Sequence, residues 1–276
     1  MFDIVIFNGL IVDGTASKPY AGAVCIKDGK IAKLLKAGEP LPESRESCDA
    51  QGHVIAPGFM DIHTHSDYSY LADPEMKICL GSGITLNVIG NCGGSCVPVR
   101  DVSEDYEIIG QSALFDHKIN RGLFDAYDVT SYGENIRKHG CSVNTAAMIG
   151  TGTVKICVKG FSDKPYTQEE LDAARALIED AMAAGAPGVS LGIMYLPECY
   201  SSTDEFAYIL EPVGRYGRVI TTHIRGEGDS MVPSVREVIE IARKVGCALE
   251  ISHFKSCGMK NWGKDIHPAI ADIEAA

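Results

Sequence analysis

The sequence predicts an α/β fold, in which a small β unit over residues 1–55 precedes an incomplete parallel (β/α)8 barrel over residues 56–276. The first 55 residues alternate short β-type runs with turn signals such as Asn8-Gly9. After Pro57-Gly58, apolar strands alternate with helical stretches, which is the pattern of a parallel sheet. The chain has 276 residues, 45% of them hydrophobic and 22% charged, which is enough to bury a large core.

The first segment is predicted to be a small antiparallel β unit. Its apolar runs are short, and Asn-Gly or Asp-Gly pairs, which favour the tight turns of hairpins, separate them. The predicted strands cover residues 3–7, 10–12, 23–26, 30–35 and 52–55.

The second segment contains about six predicted strands, fewer than the eight of a complete barrel. They are Phe59–His65, Thr85–Cys92, Val143–Ile149, Gly188–Tyr195, Val219–Arg225 and Ala248–Lys255. The last nine residues have a helical pattern without a glycine stop. We therefore expect the chain to end before strands seven and eight, so that a C-terminal segment is missing.

Two helices between these strands have clear end signals. Thr167 and Glu170 form a capping box, which satisfies free N–H groups at a helix N-terminus. A second helix is predicted to begin near Pro233 and to stop at Gly246. Residues 97–140 form a longer connection, with a short helix over residues 131–139.

Composition excludes several classes of partner. The 25 basic and 37 acidic side chains give a net charge of −12, which repels phosphate backbones and anionic lipid surfaces. For this reason we do not expect a nucleic acid as a partner. We do not expect a membrane either, because no apolar run approaches the roughly 18 residues that a membrane span needs. The N-terminus has no basic segment of a signal peptide. With ten cysteines in a long chain, we expect a reducing cytoplasm.

Four of the eight histidines lie at or near the ends of predicted strands. His63 and His65 end the first strand, and His223 and His253 lie near the ends of the fifth and sixth. Active sites of parallel barrels form at this face. Cys92 ends the second strand, beside glycines that allow a sharp turn.

Four imidazoles and one thiolate at one face predict a zinc site, because zinc prefers nitrogen and sulfur donors. Five donors exceed one tetrahedral set, which favours two metals that share a bridging ligand. Two alternatives stay open: the histidines are core residues bonded to backbone carbonyls, and Cys92 is an inert buried cysteine. The C-x3-C spacing of Cys92 and Cys96 also fits a small structural zinc site or a redox pair.

These residues resemble the amidohydrolase superfamily, whose characteristic segment is here Pro57-Gly58-Phe59-Met60-Asp61-Ile62-His63-Thr64-His65. Within it, the chain is similar to the N-acyl-D-amino-acid deacylase (D-aminoacylase) family. The narrower motifs are Ile89–Gly93, Ser190–Gly192 with Tyr195 and Pro197, Thr222–Glu227, Ile251–Lys255 and Asn261–Gly263. The resemblance implies a TIM-type barrel of the metal-dependent hydrolase class, with the N-terminal unit as part of a β-sandwich.

The resemblance also implies a ligand set and a reaction. Cys92, His223 and His253 would hold a tight zinc ion, and His63 and His65, with Cys92 bridging, would form a second, weaker or dispensable metal position. The reaction would be deacylation of an N-acyl-D-amino acid to a D-amino acid and a carboxylate. The two residues that would contact the substrate carboxylate are Tyr195 and Lys255.

The chain departs from the family at two points. Gly150-Thr151-Gly152 lacks a histidine that many relatives have in this turn, which affects substrate preference and no metal ligand. The catalytic aspartate of the family, the general base, is expected beyond Ala276, so no catalytic residue is identified in this chain.

Two other functions stay open. One is a non-catalytic metal-binding fragment or one part of a split enzyme. The other is a related zinc amidohydrolase that acts on cyclic amides, against which the segment Gly188–Leu196 weighs because it contains no lysine to be carboxylated.

Overall fold

A computed structural model describes residues 1–99 and 124–276. The chain divides into two compact units, Met1–Phe59 and Met60–Ala276. Most of the predicted long connection over residues 97–140, including all of residues 100–123, lies outside the described residues. None of the helices described is both long enough and apolar enough to cross a membrane. All ten cysteines are free thiols.

The N-terminal unit is one five-stranded sheet with the strand order β3-β2-β1-β4, in which β5 also pairs with β1. Its core is the small cluster of Val5, Ala23, Cys25 and Leu35. The strands are β1 (Phe2–Ile11), β2 (Tyr20–Lys27), β3 (Lys30–Lys36), β4 (Ser44–Asp49) and β5 (Val54–Ile55). Since all five strands belong to one sheet, the β-sandwich, which needs a second sheet, stays a prediction.

The expectation of an antiparallel unit was wrong in part. Strand β1 is antiparallel to β2 but parallel to β4 and β5, so the sheet is mixed. The predicted turn at Asn8-Gly9 is a bulge within one long strand: Asn8 has φ 56°, and the register with β2 shifts between Ile6 and Gly9. By contrast, Asp28 and Gly29, both at positive φ, form the predicted turn between β2 and β3.

The second unit is a mixed α/β structure with two parallel sheets. One has the strand order β6-β7-β8 and the other β12-β11-β10-β9. The strands are β6 (Phe59–Asp61), β7 (Ile84–Ile89), β8 (Asn144–Ala147), β9 (Ile149–Gly150), β10 (Gly188–Gly192), β11 (Val219–His223) and β12 (Ala248–Ile251). Each predicted strand is present but shorter, so that most of the predicted donor side chains lie just beyond the hydrogen-bonded segments.

The third predicted strand is two strands, and residues 1–99 and 124–276 do not form the single continuous sheet of a barrel. Met148, between β8 and β9, still donates its N–H to Ile89 on β7 (2.9 Å), whereas Ile149 pairs with Val189 on β10. The chain therefore changes partners at Met148 and passes from one sheet to the other.

Nine described α-helices connect these strands. They are α1 (Ser69–Ala72), α2 (Lys77–Gly81), α3 (Val129–His139), α4 (Thr151–Lys159), α5 (Gln168–Ala183), α6 (Thr203–Ile209), α7 (Glu211–Arg215), α8 (Met231–Val245) and α9 (Ile266–Glu274). The capping box of Thr167 and Glu170 is confirmed, and α8 ends at Gly246 in the left-handed conformation, as predicted.

The core of this unit lies between the sheets and the helices. The buried faces of α5 and α8 follow helical spacing, with Ile178 on α5 and Val238 on α8 both inaccessible to solvent. They pack in one cluster with strand residues such as Val189 and Ile220. This packing fixes β10 and β11, from whose carboxyl ends the candidate site begins.

Candidate metal centre

The candidate centre lies at the carboxyl ends of parallel strands, where the sequence predicts it. Cys92 follows β7 by three residues, His223 is the last residue of β11, and His253 follows β12 by two residues. His63 follows β6, also by two residues. Cys92 and His63 thus extend from one sheet, and His223 and His253 from the other.

The loop that carries Cys92 is held in an unusual conformation. Cys92 has φ 54° between Gly90 at 72° and Gly93 at 75°. A left-handed conformation at a residue with a side chain costs about 1–3 kcal/mol and persists only where the surroundings enforce it. Here Ser190 on β10 enforces it, because its hydroxyl accepts from the Gly93 N–H (3.0 Å) and donates to the Gly90 carbonyl.

The space beneath this loop admits only glycine at position 93. A Cβ atom there would overlap the carboxylate of Glu198. That carboxylate is fully buried, accepts the hydroxyl hydrogen of Thr151 and accepts from the Gly192 N–H at 3.0 Å. Burial raises the pKa of Glu198 to about 7. Glu198 thus connects the Cys92 loop to the end of β10.

The Cys92 thiol lies between two imidazoles. Its Sγ is 3.3 Å from Nε2 of His63 and 3.5 Å from Nε2 of His253. The three donor atoms all lie within 4.8 Å of one another, which is close enough for one ion to contact all of them. His253 has φ 39°, so a second residue of the site is in the left-handed region.

A second donor group contains a residue that was not predicted. Donor atoms of His223, Glu227 and His253 also lie within 4.8 Å of one another. Glu227 Oε1 is 3.0 Å from Nδ1 of His253 and 3.5 Å from Nε2 of His223. Glu227 is part of the Thr222–Glu227 motif, but it lies in an irregular segment, where a spacing of four residues does not indicate which way a side chain points.

The predicted donors are brought together in part. Four of them, His63, Cys92, His223 and His253, contribute to the two groups, with His253 common to both. The predicted trio of Cys92, His223 and His253 is therefore divided between the groups. His65 contributes to neither group among the described residues, although its ring centre lies 5.4 Å from that of His63.

The two predicted substrate contacts lie beside these donors. The Tyr195 hydroxyl is 3.2 Å from Nδ1 of His223, and the ring centres of the two residues are 4.7 Å apart. The Lys255 ammonium pairs with Glu227 and lies 3.0 Å from Nδ1 of His253. Its side chain is 45% exposed, so it keeps access to solvent.

Burial sets the protonation of the donors before any metal binds. Desolvation is the main cause that lowers the pKa of His63 and of His223 to about 4, although the Glu227 carboxylate opposes this effect at His223, so both imidazoles are neutral at pH 7. Burial likewise raises the pKa of Cys92 to about 12, with Glu198 and Glu227 adding to the effect. Without a cation, Cys92 is thus a neutral thiol.

The donor set fits zinc. Neutral imidazole nitrogens and one sulfur are the ligands that zinc prefers, and a buried thiol becomes a thiolate when a metal replaces its proton. His63, Cys92 and His253 offer such donors within a few ångströms.

Comparison with known proteins places the chain in a family. No protein-family model matches it. An N-acyl-D-aspartate deacylase of Alcaligenes xylosoxydans xylosoxydans is 33% identical over 269 residues, which are 95% of this chain and 51% of that protein. The chain spans about half the length of the curated relatives it matches.

Two solved structures are also similar. The N-acyl-D-glutamate deacylase of Bordetella bronchiseptica, in complex with zinc and a phosphonate mimic of the tetrahedral intermediate, has a TM-score of 0.86 and 29% identity, and the match covers 99% of this chain and 56% of that one. A D-aminoacylase with a binuclear metal centre has a TM-score of 0.86 and 30% identity, over 100% of this chain and 56% of that one. The chain belongs to the D-aminoacylase family of amidohydrolases.

Proposed function

We propose that this chain carries the zinc-binding part of a deacylase that hydrolyses N-acyl-D-amino acids to a D-amino acid and a carboxylate. The observation that carries the proposal is the convergence of one thiol and three imidazoles at the ends of parallel strands, with Cys92 Sγ 3.3 Å and 3.5 Å from two imidazole nitrogens. The similarity to a deacylase over 95% of the chain supports the reaction class.

In this proposal Cys92, His223 and His253 hold the tight zinc ion, and His63 and His65, with Cys92, form a weaker second position. The neutral imidazoles support it, because a metal then competes with no proton at His63 or His223 near pH 7. When bound, zinc polarises a carbonyl group and lowers the pKa of water, which are the two requirements of amide hydrolysis.

Tyr195 and Lys255 are proposed to bind the substrate carboxylate. The ammonium of Lys255 has three N–H donors, so its pairing with Glu227 leaves others for an anion. The Tyr195 hydroxyl lies beside His223, which would place the carboxylate next to the metal. We assign proton transfer to none of the described residues; the family resemblance implies an aspartate for that role.

We also propose that the two parallel sheets are successive parts of one incomplete (β/α)8 barrel over residues 56–276. Strand order follows chain order from β6 to β12 across both sheets, and Met148 alone separates β8 from β9. A barrel places the carboxyl ends of its strands at one face, where active sites of this fold form.

The proposed substrate class predicts stereoselectivity. The complete zinc-loaded enzyme, with the aspartate that the family resemblance implies, should release D-amino acids from N-acetyl-D-amino acids and leave the L-enantiomers unreacted. Contacts to the carboxylate and to the acyl group hold two of the groups at the α-carbon, and the space left for the side chain then selects one configuration. Release of free amine from each pair of enantiomers measures this. Equal rates would contradict the proposal, and zinc binding without turnover would favour a non-catalytic metal-binding role or one part of a split enzyme.

Replacement of the thiol should weaken zinc binding more than replacement of a buried thiol nearby. Cys92→Ala should lower zinc affinity by more than about 100-fold, the upper range for residues that only support a ligand. Competition with a chromogenic chelator measures this affinity. Cys96→Ala is the matched control, since Cys96 is also buried but belongs to neither donor group. Equal affinity of the two variants would remove Cys92 from the ligand set.

Zinc binding should release at least one proton near pH 6, where the protonated thiol of Cys92 gives way to a thiolate while His63 and His223 are already neutral. Zinc affinity should therefore rise with pH. Below about pH 4 the imidazoles become protonated, and zinc affinity falls more steeply. Calorimetric titrations in buffers of different ionisation enthalpy count the protons. Release close to zero would show that the thiol keeps its hydrogen.

A further inference from the structure

Glu227 contacts three functional side chains through one oxygen atom. We propose that Glu227 is a positioning residue, which orients His223 and His253 for metal binding and restrains the Lys255 ammonium beside them. This inference rests on the metal site of the proposed function. The side chain of Glu227 is only 11% exposed, so these contacts are formed away from bulk water, where they are weakly screened.

Glu227 and Lys255 both lie against Nδ1 of His253. Oε1 of Glu227 lies 3.0 Å from Nδ1 of His253, and an ionised carboxylate can only accept a hydrogen bond. A hydrogen on Nδ1 would point at this carboxylate and leave the lone pair on Nε2, whereas the Lys255 ammonium, 3.0 Å from the same nitrogen, would need Nδ1 as the acceptor. We assign the hydrogen to Nδ1, because Glu227 also holds the ammonium. Nε2 faces the Cys92 sulfur at 3.5 Å. A histidine that ligates through one nitrogen and donates from the other to a carboxylate is a common support for metal ligands.

The contact with His223 acts in the same direction. Its Nε2 is 3.5 Å from Oε1 of Glu227, within ion-pair distance, and is buried without a formal hydrogen bond. Its Nδ1 lies 3.2 Å from the Tyr195 hydroxyl, which can donate to it. A hydrogen on Nε2, facing the carboxylate, leaves the lone pair on Nδ1, where a metal would take the place of the Tyr195 hydroxyl hydrogen. In both imidazoles, the nitrogen that faces Glu227 would thus be the one that carries hydrogen.

The ion pair with Lys255 balances charge. The ammonium lies 3.0 Å from Nδ1 of His253, so a cation is present next to a ring that is proposed to bind a second cation. The carboxylate of Glu227 lies against both groups and offsets this repulsion. The same ion pair occupies Oε1, which favours a supporting role over direct metal coordination for Glu227.

The backbone around Glu227 is anchored from two sides. The Glu227 carbonyl accepts from the Cys257 N–H at 2.6 Å, which connects it to the segment that follows β12. Arg225 pairs with Glu237 on α8 at 2.7 Å and donates to the Cys199 carbonyl at 2.7 Å. A carboxylate on so constrained a segment can hold other side chains in place.

The test compares Glu227→Gln and Glu227→Ala with a control from the same segment. Asp229→Asn is that control, because the Asp229 carboxylate is exposed and pairs with Lys260 and Asn261 instead of with the donor cluster. Zinc affinity is measured by competition with a chelator. We expect a loss of about 10–100-fold for Glu227→Ala, a smaller loss for Glu227→Gln, which keeps an acceptor oxygen, and a change within about twofold for the control.

A second readout separates positioning from a general loss of structure. In metal-free protein, ¹⁵N chemical shifts of the imidazoles should show His253 with its hydrogen on Nδ1, and Glu227→Ala should shift it towards the other tautomer. Glu227→Gln, which is nearly isosteric, keeps the test valid if the alanine variant fails to fold. Wild-type affinity and tautomer in both Glu227 variants, or an equal loss in the control, would overturn the inference. Neither measurement depends on turnover, so the role of Glu227 can be tested even if the proposed deacylation is not observed.

Discussion

The contact of one buried thiol with imidazoles from both sheets is the constraint on which the rest of the site depends. Cys92 belongs to the loop after β7, and His253 follows β12 in the other sheet, yet their donor atoms are 3.5 Å apart. Burial makes the free thiolate unfavourable, as the raised pKa of about 12 shows. Such a cluster gains stability when a cation replaces the thiol proton. Both the distances between the donor atoms and the chemistry of the donors therefore favour a metal site.

Several residues of the sequence set the orientation of the Cys92 thiol. Glycines at positions 90 and 93 allow two left-handed turns around Cys92, and Gly93 leaves room for the buried Glu198 carboxylate. The Ser190 hydroxyl bonds to the loop on both sides of Cys92. These contacts run from β10 to the loop after β7, so the same bonds that orient Cys92 also hold the two sheets together.

Much of this arrangement could be predicted from the sequence, because local signals and strand polarity determine it. Parallel strands place their carboxyl ends together, so the positions of His223 and His253 at strand ends were enough to expect a cluster. The capping box at Thr167 could also be predicted, since it depends on two residues that are only three positions apart in the sequence. In the same way, Gly246 at the end of a helical pattern predicted its C-terminus.

The parts that could not be predicted depend on contacts between distant residues. The bulge at Asn8 has the sequence of a turn, and only its pairing with β2 makes it part of one strand. Strand β4 has the sequence Ser-Arg-Glu-Ser-Cys-Asp, which lacks the usual alternation of apolar side chains, and it forms because β1 offers a free edge. Glu227 was missed for a similar reason, because its three contacts involve the end of β11 and the segment after β12.

The central claim is that Cys92 and the strand-end histidines form one zinc centre. X-ray absorption at the zinc edge of the zinc-loaded chain tests it most directly, because sulfur and nitrogen ligands differ in distance. The claim predicts one sulfur at about 2.3 Å together with nitrogen or oxygen ligands at about 2.0–2.2 Å. A first shell without sulfur, or a chain that retains no zinc, would contradict it.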